Sequence, residues 1–202
     1  MSTLSRVLEA DSGKLYAAVA GILSERGLVT PAEITERMAT TDRASPELGA
    51  AMVARAWTDP DYRALLLSDG TAGAEAAGVT MRGLPPLGVL ENTPDTHNVV
   101  VCTLCSCYPR GVLGYPPFWF KSPAYRARTV RDPRGVLAEW GTRIGDDVRI
   151  RVVDSTADYR WMVLPMRPAG TEGWPRERLA SIVRAGDMIG VTVPSAETGS
   201  ER

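Results

Sequence analysis

Every thiol in this chain falls inside one hexapeptide, Cys102-Thr103-Leu104-Cys105-Ser106-Cys107. The spacing is too tight for a structural disulfide, and a four-thiolate metal site would need one more sulfur. A Cys-x-x-Cys-Ser-Cys loop instead offers a single ion three sulfurs and its own backbone nitrogens. If Cys105 and Cys107 bind the same ion, the peptide nitrogens of Ser106 and Cys107 lie between their sulfurs along the chain. Deprotonated, those amides complete a planar N2S2 chelate, with Cys102 as an axial fifth ligand. So strongly donating a set favours a trivalent low-spin ion, a preference zinc has no ligand-field reason to share. A sixth position stays open for water or substrate, as Lewis-acid catalysis requires. Exposed metal-bound thiolates are also candidates for oxidation to sulfenate and sulfinate, and an oxygen on sulfur can serve as base or nucleophile.

A plainer reading competes with this one. Clustered cysteines most often hold structural zinc through four ligands. The single histidine, His97, lies five residues before Cys102 and would complete a Cys3His set in a zinc-binding interaction module. An iron–sulfur cluster would normally take a fourth cysteine. A dithiol pair at Cys102 and Cys105 leaves Cys107 unexplained and lacks a preceding βαβ pattern. Spacing alone leaves the zinc module and the N2S2 centre both open.

The elements around the loop carry local signals. Leu15, Val19, Ile22 and Leu23 recur at helical spacing, with Gly27 as a stop. Thr30-Pro31-Ala32-Glu33 combines a capping box with proline at the first helical position. Ala39–Ala44 is polar and reads as a loop; Ser45-Pro46 and Asp59-Pro60 then open helices through Met52–Trp57 and Tyr62–Leu67. From about Val79 the pattern changes, and Val89–Glu91 and Asn98–Val101 read as short buried strands leading into the cysteine loop. Prolines flank that loop at Pro85-Pro86, Pro109 and Pro116-Pro117, restricting an irregular backbone. Ser122-Pro123 and Asp132-Pro133 predict two more helices, the second ending at Gly141. Asp147–Val153 and Tyr159–Leu164 read as strands pairing across Asp154–Asp158, and a Pro175–Arg184 helix and a Met188–Val193 strand close the chain. The expected class is α+β: an N-terminal helical arm over 1–78, then a layered α/β/β/α domain over 79–202 carrying the metal loop.

The bulk numbers narrow the partners. A net charge of −1 supplies no field for a polyanion, so neither nucleic acid nor a membrane surface is expected. The start, MSTLSRVLEADSGK, lacks a basic then apolar leader, and no apolar run is long enough to span a bilayer, so a cytoplasmic location is expected.

Val101-Cys102-Thr103-Leu104-Cys105-Ser106-Cys107-Tyr108-Pro109 resembles the metal-binding signature of the nitrile hydratase α subunit. The likeness continues through Leu113-Gly114, Pro116-Pro117, Trp119, Lys121-Ser122-Pro123, Tyr125-Arg126-Ala127-Arg128 and Arg131-Asp132-Pro133-Arg134. It extends to Ala54–Pro60, Glu91–Pro94, His97-Asn98, Val163-Leu164-Pro165 and Arg167–Gly173, nearly the whole chain beyond the first dozen residues.

That resemblance implies an enzyme adding water to a nitrile to give the amide. Thr103 implies one non-corrin Co(III) per chain rather than iron. Cys102 is then the axial thiolate, Cys105 the sulfinate and Cys107 the sulfenate. Ser106 and Cys107 supply amide nitrogens, and the Ser106 hydroxyl lies near the sixth site. A β subunit, single or split, closes the site in a hetero-oligomer, and a cobalt-loading activator protein is expected. Asp154 and Arg160 match positions in a polar network near that interface, although an ordinary hairpin salt bridge would explain them equally. Arg126, Arg128, Arg131 and Arg134 are read as subunit salt bridges or a solvated helix face.

Departures from the family pattern gather at the pocket. Arg110-Gly111 stands where Trp-Pro is common, Tyr115 where Leu is, and no glutamine occurs near Arg82-Gly83-Leu84. These changes imply a bulkier or more polar small-molecule nitrile, such as the cyano-nucleoside toyocamycin, with neutral drift as the alternative. The nearest rival is the metal-bearing γ subunit of thiocyanate hydrolase, whose anionic substrate would suit Arg110.

Overall fold

The computed structural model describes residues 3–196, and the chain divides into two compact units, Met1–Arg43 and Ala44–Arg202. The first holds α1 (Thr3–Glu25) and α2 (Pro31–Arg43). Gly27, at φ +66°, ends α1 as expected. Thr30 and Glu33 form the expected capping box: the Thr30 N–H donates to Glu33 Oε2 at 2.7 Å, and the Glu33 N–H to Thr30 Oγ1 at 3.2 Å. The predicted Ala39–Ala44 loop is instead mostly the last turn of α2, which runs to Arg43. No glycine or proline interrupts the chain between Pro31 and Pro46, and the Thr40 hydroxyl satisfies itself on the Glu36 carbonyl at 2.8 Å.

In the second unit, α3 (Pro46–Thr58), α4 (Pro60–Ser68) and α5 (Gly70–Ala76) precede β1 (Leu87–Glu91) and β2 (Thr96–Val101). After the cysteine loop come α6 (Arg110–Leu113), α7 (Phe118–Lys121), α8 (Pro123–Arg131) and α9 (Pro133–Glu139), then β3 (Arg149–Asp154), β4 (Arg160–Leu164) and α10 (Arg176–Ser181). Side-chain caps start four of these helices: Asp59 accepts from the Tyr62 N–H, Asp69 from Ala72, Ser122 from Tyr125 and Asp132 from Gly135. Helices α3–α5, expected within an arm ending at 78, belong to this second unit. Met52, Val53 and Leu66 are buried in the same core as Val99–Val101 and Met162–Leu164.

The class is the expected mixture of helix and strand, but the strand pairing is not the expected one. Strands β3 and β4 make no hairpin; β2 pairs with β3 and β1 with β4, each in parallel. Beyond β3 the ladder continues as the Ser155 N–H donates to the Val101 carbonyl at 2.7 Å, and the Thr156–Tyr159 turn then carries the chain to the other sheet. The predicted Met188–Val193 strand is a turned segment, because Gly190 sits at φ +83°. A Cβ there would lie 1.9 Å from the Asn98 carbonyl oxygen, so only glycine fits. The turn joins the two sheets: the Val100 N–H donates to Ile189 O and the Val163 N–H to Met188 O, both at 2.8 Å. The predicted Pro175–Arg184 helix is shorter, Arg176–Ser181.

Candidate metal centre

Strand β2 delivers the cysteine loop directly from the core. Val99, Val100 and Val101 are fully buried, Cys102 is 1% exposed, and the chain surfaces at Thr103–Cys105 before Cys107 and Tyr108 dive back. The three Sγ atoms lie within 4.8 Å of one another. Cys105 Sγ is 3.6 Å from that of Cys102 and 3.3 Å from that of Cys107.

Backbone donors are turned toward these sulfurs. The Cys105 N–H donates to Cys102 Sγ at 3.2 Å. The Cys105 thiol is held below its ordinary pKa, first by the Cys107 thiol and next by the Ser106 N–H, with the Cys102 thiol and the Cys107 N–H adding to the effect. Burial pushes the Cys107 thiol up to about 12, with its two thiol neighbours adding to the rise and the Arg160 charge opposing it. Three sulfurs therefore face one point, with the Cys105 N–H turned to one of them and the amides of Ser106 and Cys107 next along the loop. That donor set fits an ion bound through sulfur and amide nitrogen, and it uses no histidine.

His97 is elsewhere. It is buried in β2, with Nε2 2.7 Å from the Gly190 carbonyl oxygen and Nδ1 3.1 Å from Asn92 Nδ2. Both ring nitrogens are committed, and the metal-binding group among the described residues contains only the three cysteines. The Cys3His module thus loses its fourth ligand.

Asp154 and Arg160 stand at the loop but not as a pair. Asp154, the last residue of β3, is in register with Val101 and accepts from the Thr103 N–H at 3.0 Å and from the Thr103 hydroxyl. Arg160, the first residue of β4, lines a cavity of about 280 Å³ with Cys105, Ser106, Cys107 and Arg110. Arg160 Nη1 is buried without a hydrogen-bond partner. Met81, Leu84 and Leu87 form the apolar side of the same cavity. Tyr115 does not line it; its exposed ring lies 5.6 Å from the Arg110 guanidinium. Gly111 does line it, and a Cβ there would meet Leu84 Cδ1 at 2.7 Å. The space released by this glycine is filled by Leu84 and Met81 rather than added to the cavity.

Arg128 and Arg131 lie exposed on α8, as a solvated helix face would have them, whereas Arg126 and Arg134 turn to backbone carbonyls of the chain. Arg126 donates to the Leu104 carbonyl at 2.9 Å, and Arg134 to the carbonyls of Ile144, Gly145 and Val148. Arg128 pairs with Glu139 within the chain. The link from Arg126 to the loop crosses a tertiary contact, so no sequence spacing announces it.

The family model described as nitrile hydratase, alpha chain matches residues 10–192. This chain belongs to the nitrile hydratase α family. Its sequence is 49% identical, over 96% of this chain and 93% of the relative, to the low-molecular weight cobalt-containing nitrile hydratase subunit alpha of Rhodococcus rhodochrous. It is also 42% identical to the thiocyanate hydrolase subunit gamma of Thiobacillus thioparus, over 89% of this chain and 79% of that one. Among solved structures, a double mutant of the Fe-type nitrile hydratase from Comamonas testosteroni Ni1 superposes with a TM-score of 0.81 at 40% identity, covering 96% of this chain and 95% of that chain. The relatives thus include a cobalt-containing nitrile hydratase α subunit by sequence and an Fe-type nitrile hydratase by structure. No helix among the described residues is long and apolar enough to cross a membrane.

Proposed function

We propose that this chain is the metal-bearing α subunit of a nitrile hydratase that converts a nitrile and water to the amide, together with a β subunit. The observation that carries the reading is the cluster of Cys102, Cys105 and Cys107, with the Cys105 N–H turned to Cys102 Sγ, in a chain of the nitrile hydratase α family. The three sulfurs and the amide nitrogens of Ser106 and Cys107 would hold one non-corrin Co(III), with Cys105 carrying two oxygens and Cys107 one. Cobalt rather than iron is supported by Thr103 and by the cobalt-containing relative at 49% identity. Bound there, the ion supplies Lewis acidity toward the nitrile nitrogen.

The chain's own groups do the remaining work. An oxygen on Cys107 acts as base or nucleophile in delivering water to the nitrile carbon. Arg160, which lines the cavity beside Cys107, stabilises negative charge on oxygen during that addition. The Ser106 hydroxyl lies on the same wall and orients water there. Met81, Leu84 and Leu87 receive the apolar part of the substrate. Arg110 adds a second cation to the rim, which favours a polar nitrile, a cyano-nucleoside included. Tyr115 acts there through Arg110. A cytoplasmic hetero-oligomer loaded by an activator protein completes the reading.

Two cations on one small cavity also favour a second reading, a γ-type subunit of thiocyanate hydrolase acting on an anion. One experiment separates the two. The chain is co-expressed with a β-type partner and cobalt, then offered acrylonitrile, a cyano-nucleoside and thiocyanate. Amide formation is the expected result. Carbonyl sulfide from thiocyanate without amide from either nitrile would transfer the chain to the second reading.

A further inference from the structure

Arg126 reaches the metal loop from behind. It stands on α8, whose first turn is fixed by the Ser122 side chain accepting from the Tyr125 N–H at 3.1 Å. Two consecutive residues of that helix then grip the chain on either side of Cys102. The Tyr125 hydroxyl donates to the Val100 carbonyl at 2.8 Å, and Arg126 Nη1 donates to Leu104 O at 2.9 Å, with Thr103 O more distant at 3.4 Å.

The Leu104 carbonyl shares a peptide plane with the Cys105 N–H. In a trans peptide these two groups point in opposite directions. Holding Leu104 O on the Arg126 side therefore turns the Cys105 N–H to the other side, where it donates to Cys102 Sγ at 3.2 Å. The Cys102–Thr103 peptide, two planes earlier, is held independently, because Asp154 accepts the Thr103 N–H. A cation bound to one end of an amide also polarises it, strengthening its N–H as a donor to thiolate.

We propose that Arg126 is a positioning residue that fixes the Leu104–Cys105 peptide plane, so that the loop presents its sulfurs and amides in binding arrangement before metal arrives. This rests on the metal-centre reading above. Its role is in metal uptake; it does not touch the reacting atoms.

The test measures cobalt per chain, by elemental analysis of the purified α–β complex, after expression across a range of cobalt concentrations. Wild type is compared with Arg126→Met, which keeps the apolar stem, with Arg126→Lys, and with Arg128→Ala as a control on the same helix. Arg126→Met should need roughly 10- to 100-fold more cobalt for half occupancy, the usual effect of removing a group that orients metal ligands. Arg126→Lys, which keeps the charge and one donor, should recover part of that loss, and Arg128→Ala should match wild type. Cobalt-to-sulfur absorption and oxygens on Cys105 and Cys107, read by mass, should follow occupancy. Cobalt uptake by Arg126→Met equal to wild type, or lost equally in Arg128→Ala, would overturn the proposal. A wild-type complex that takes up no cobalt would instead sink the metal-centre reading itself. Should Arg126→Met fail to assemble, Arg126→Lys decides alone: it must show intermediate occupancy in assembled complex, and wild-type occupancy overturns the proposal.

Discussion

His97 holds one proton, and its neighbours decide where. The Gly190 carbonyl can only accept, so Nε2 carries the hydrogen. The Asn98 N–H donates to Asn92 Oδ1 at 2.7 Å, which turns the Asn92 amide nitrogen toward His97 Nδ1. A second proton on Nδ1 would face a donor inside the core, and burial lowers the pKa from 6.5. The folded state thus resists a proton that the unfolded chain accepts near 6.5. The stabilisation is whole above that value and is lost as pH falls through the lowered native pKa. His97→Gln should cost roughly 1–3 kcal/mol at neutral pH, the range for unsatisfied buried polar groups. The gap between wild type and variant should then narrow as the solution is acidified. Denaturant unfolding of the metal-free chain at several pH values checks this, and a gap that stays constant would disprove it. The same valence argument removes His97 from any metal: Nε2 is already spent on the Gly190 carbonyl, which holds that turn against β2, and Nδ1 on the Asn92 amide.

At the scale of elements, what is local was legible and what is long-range was not. Asp59, Ser122 and Asp132 each precede a proline, and each caps a helix where the sequence says one begins. Removing one such cap, as in Ser122→Ala, should cost ~1 kcal/mol and lower the melting temperature by about 2–4 °C. Calorimetry of the purified chain measures it, and an unchanged melting curve would show that Pro123 alone starts α8. Strand pairing carried no comparable local mark. The short Asp154–Asp158 spacing suggests a hairpin, yet the partners of β3 and β4 are strands lying more than fifty residues earlier. Likewise Met188–Val193 has a strand's composition, but Gly190 at φ +83° bends it into the joint between the two sheets. Gly190→Ala would press a methyl group into the Asn98 carbonyl and strain the backbone as well. Its expected cost of about 3 kcal/mol or more exceeds that of an ordinary point substitution. Denaturant unfolding would show it, and a loss below about 1 kcal/mol would mean that the joint is not needed. For the centre itself, the three thiols and their spacing were legible at once, whereas Arg126 became visible only through the α8 contact.

Over the whole molecule, the site and the core are one structure. Cys102 and Cys107 are buried members of the same hydrophobic cluster as Val99–Val101, Phe120 and Met188. A loop built on a core in this way cannot let go of its ligands without disturbing what lies beneath. Metal bound there should therefore stabilise the second unit as a whole, because the unfolded chain holds no preformed set of three sulfurs and two amides. A bound form favoured 1,000-fold over free ligand conditions corresponds to about 4 kcal/mol. For a unit of this size that is a rise in melting temperature of roughly 8–16 °C. Scanning calorimetry of cobalt-loaded and metal-free chain should show this rise for the wild type. Cys105→Ser leaves the two buried thiols in place and removes only the exposed one, so the metal-free variant should melt near the metal-free wild type. It should also gain little from cobalt, since the sulfur that would close the proposed chelate with Cys107 is gone. A loaded wild type that melts with its metal-free form would mean that the ion sits on the surface of an indifferent fold. A Cys105→Ser chain stabilised as much as wild type would mean that Cys102 and Cys107 suffice and that the chelate between neighbouring residues is not the source of the affinity.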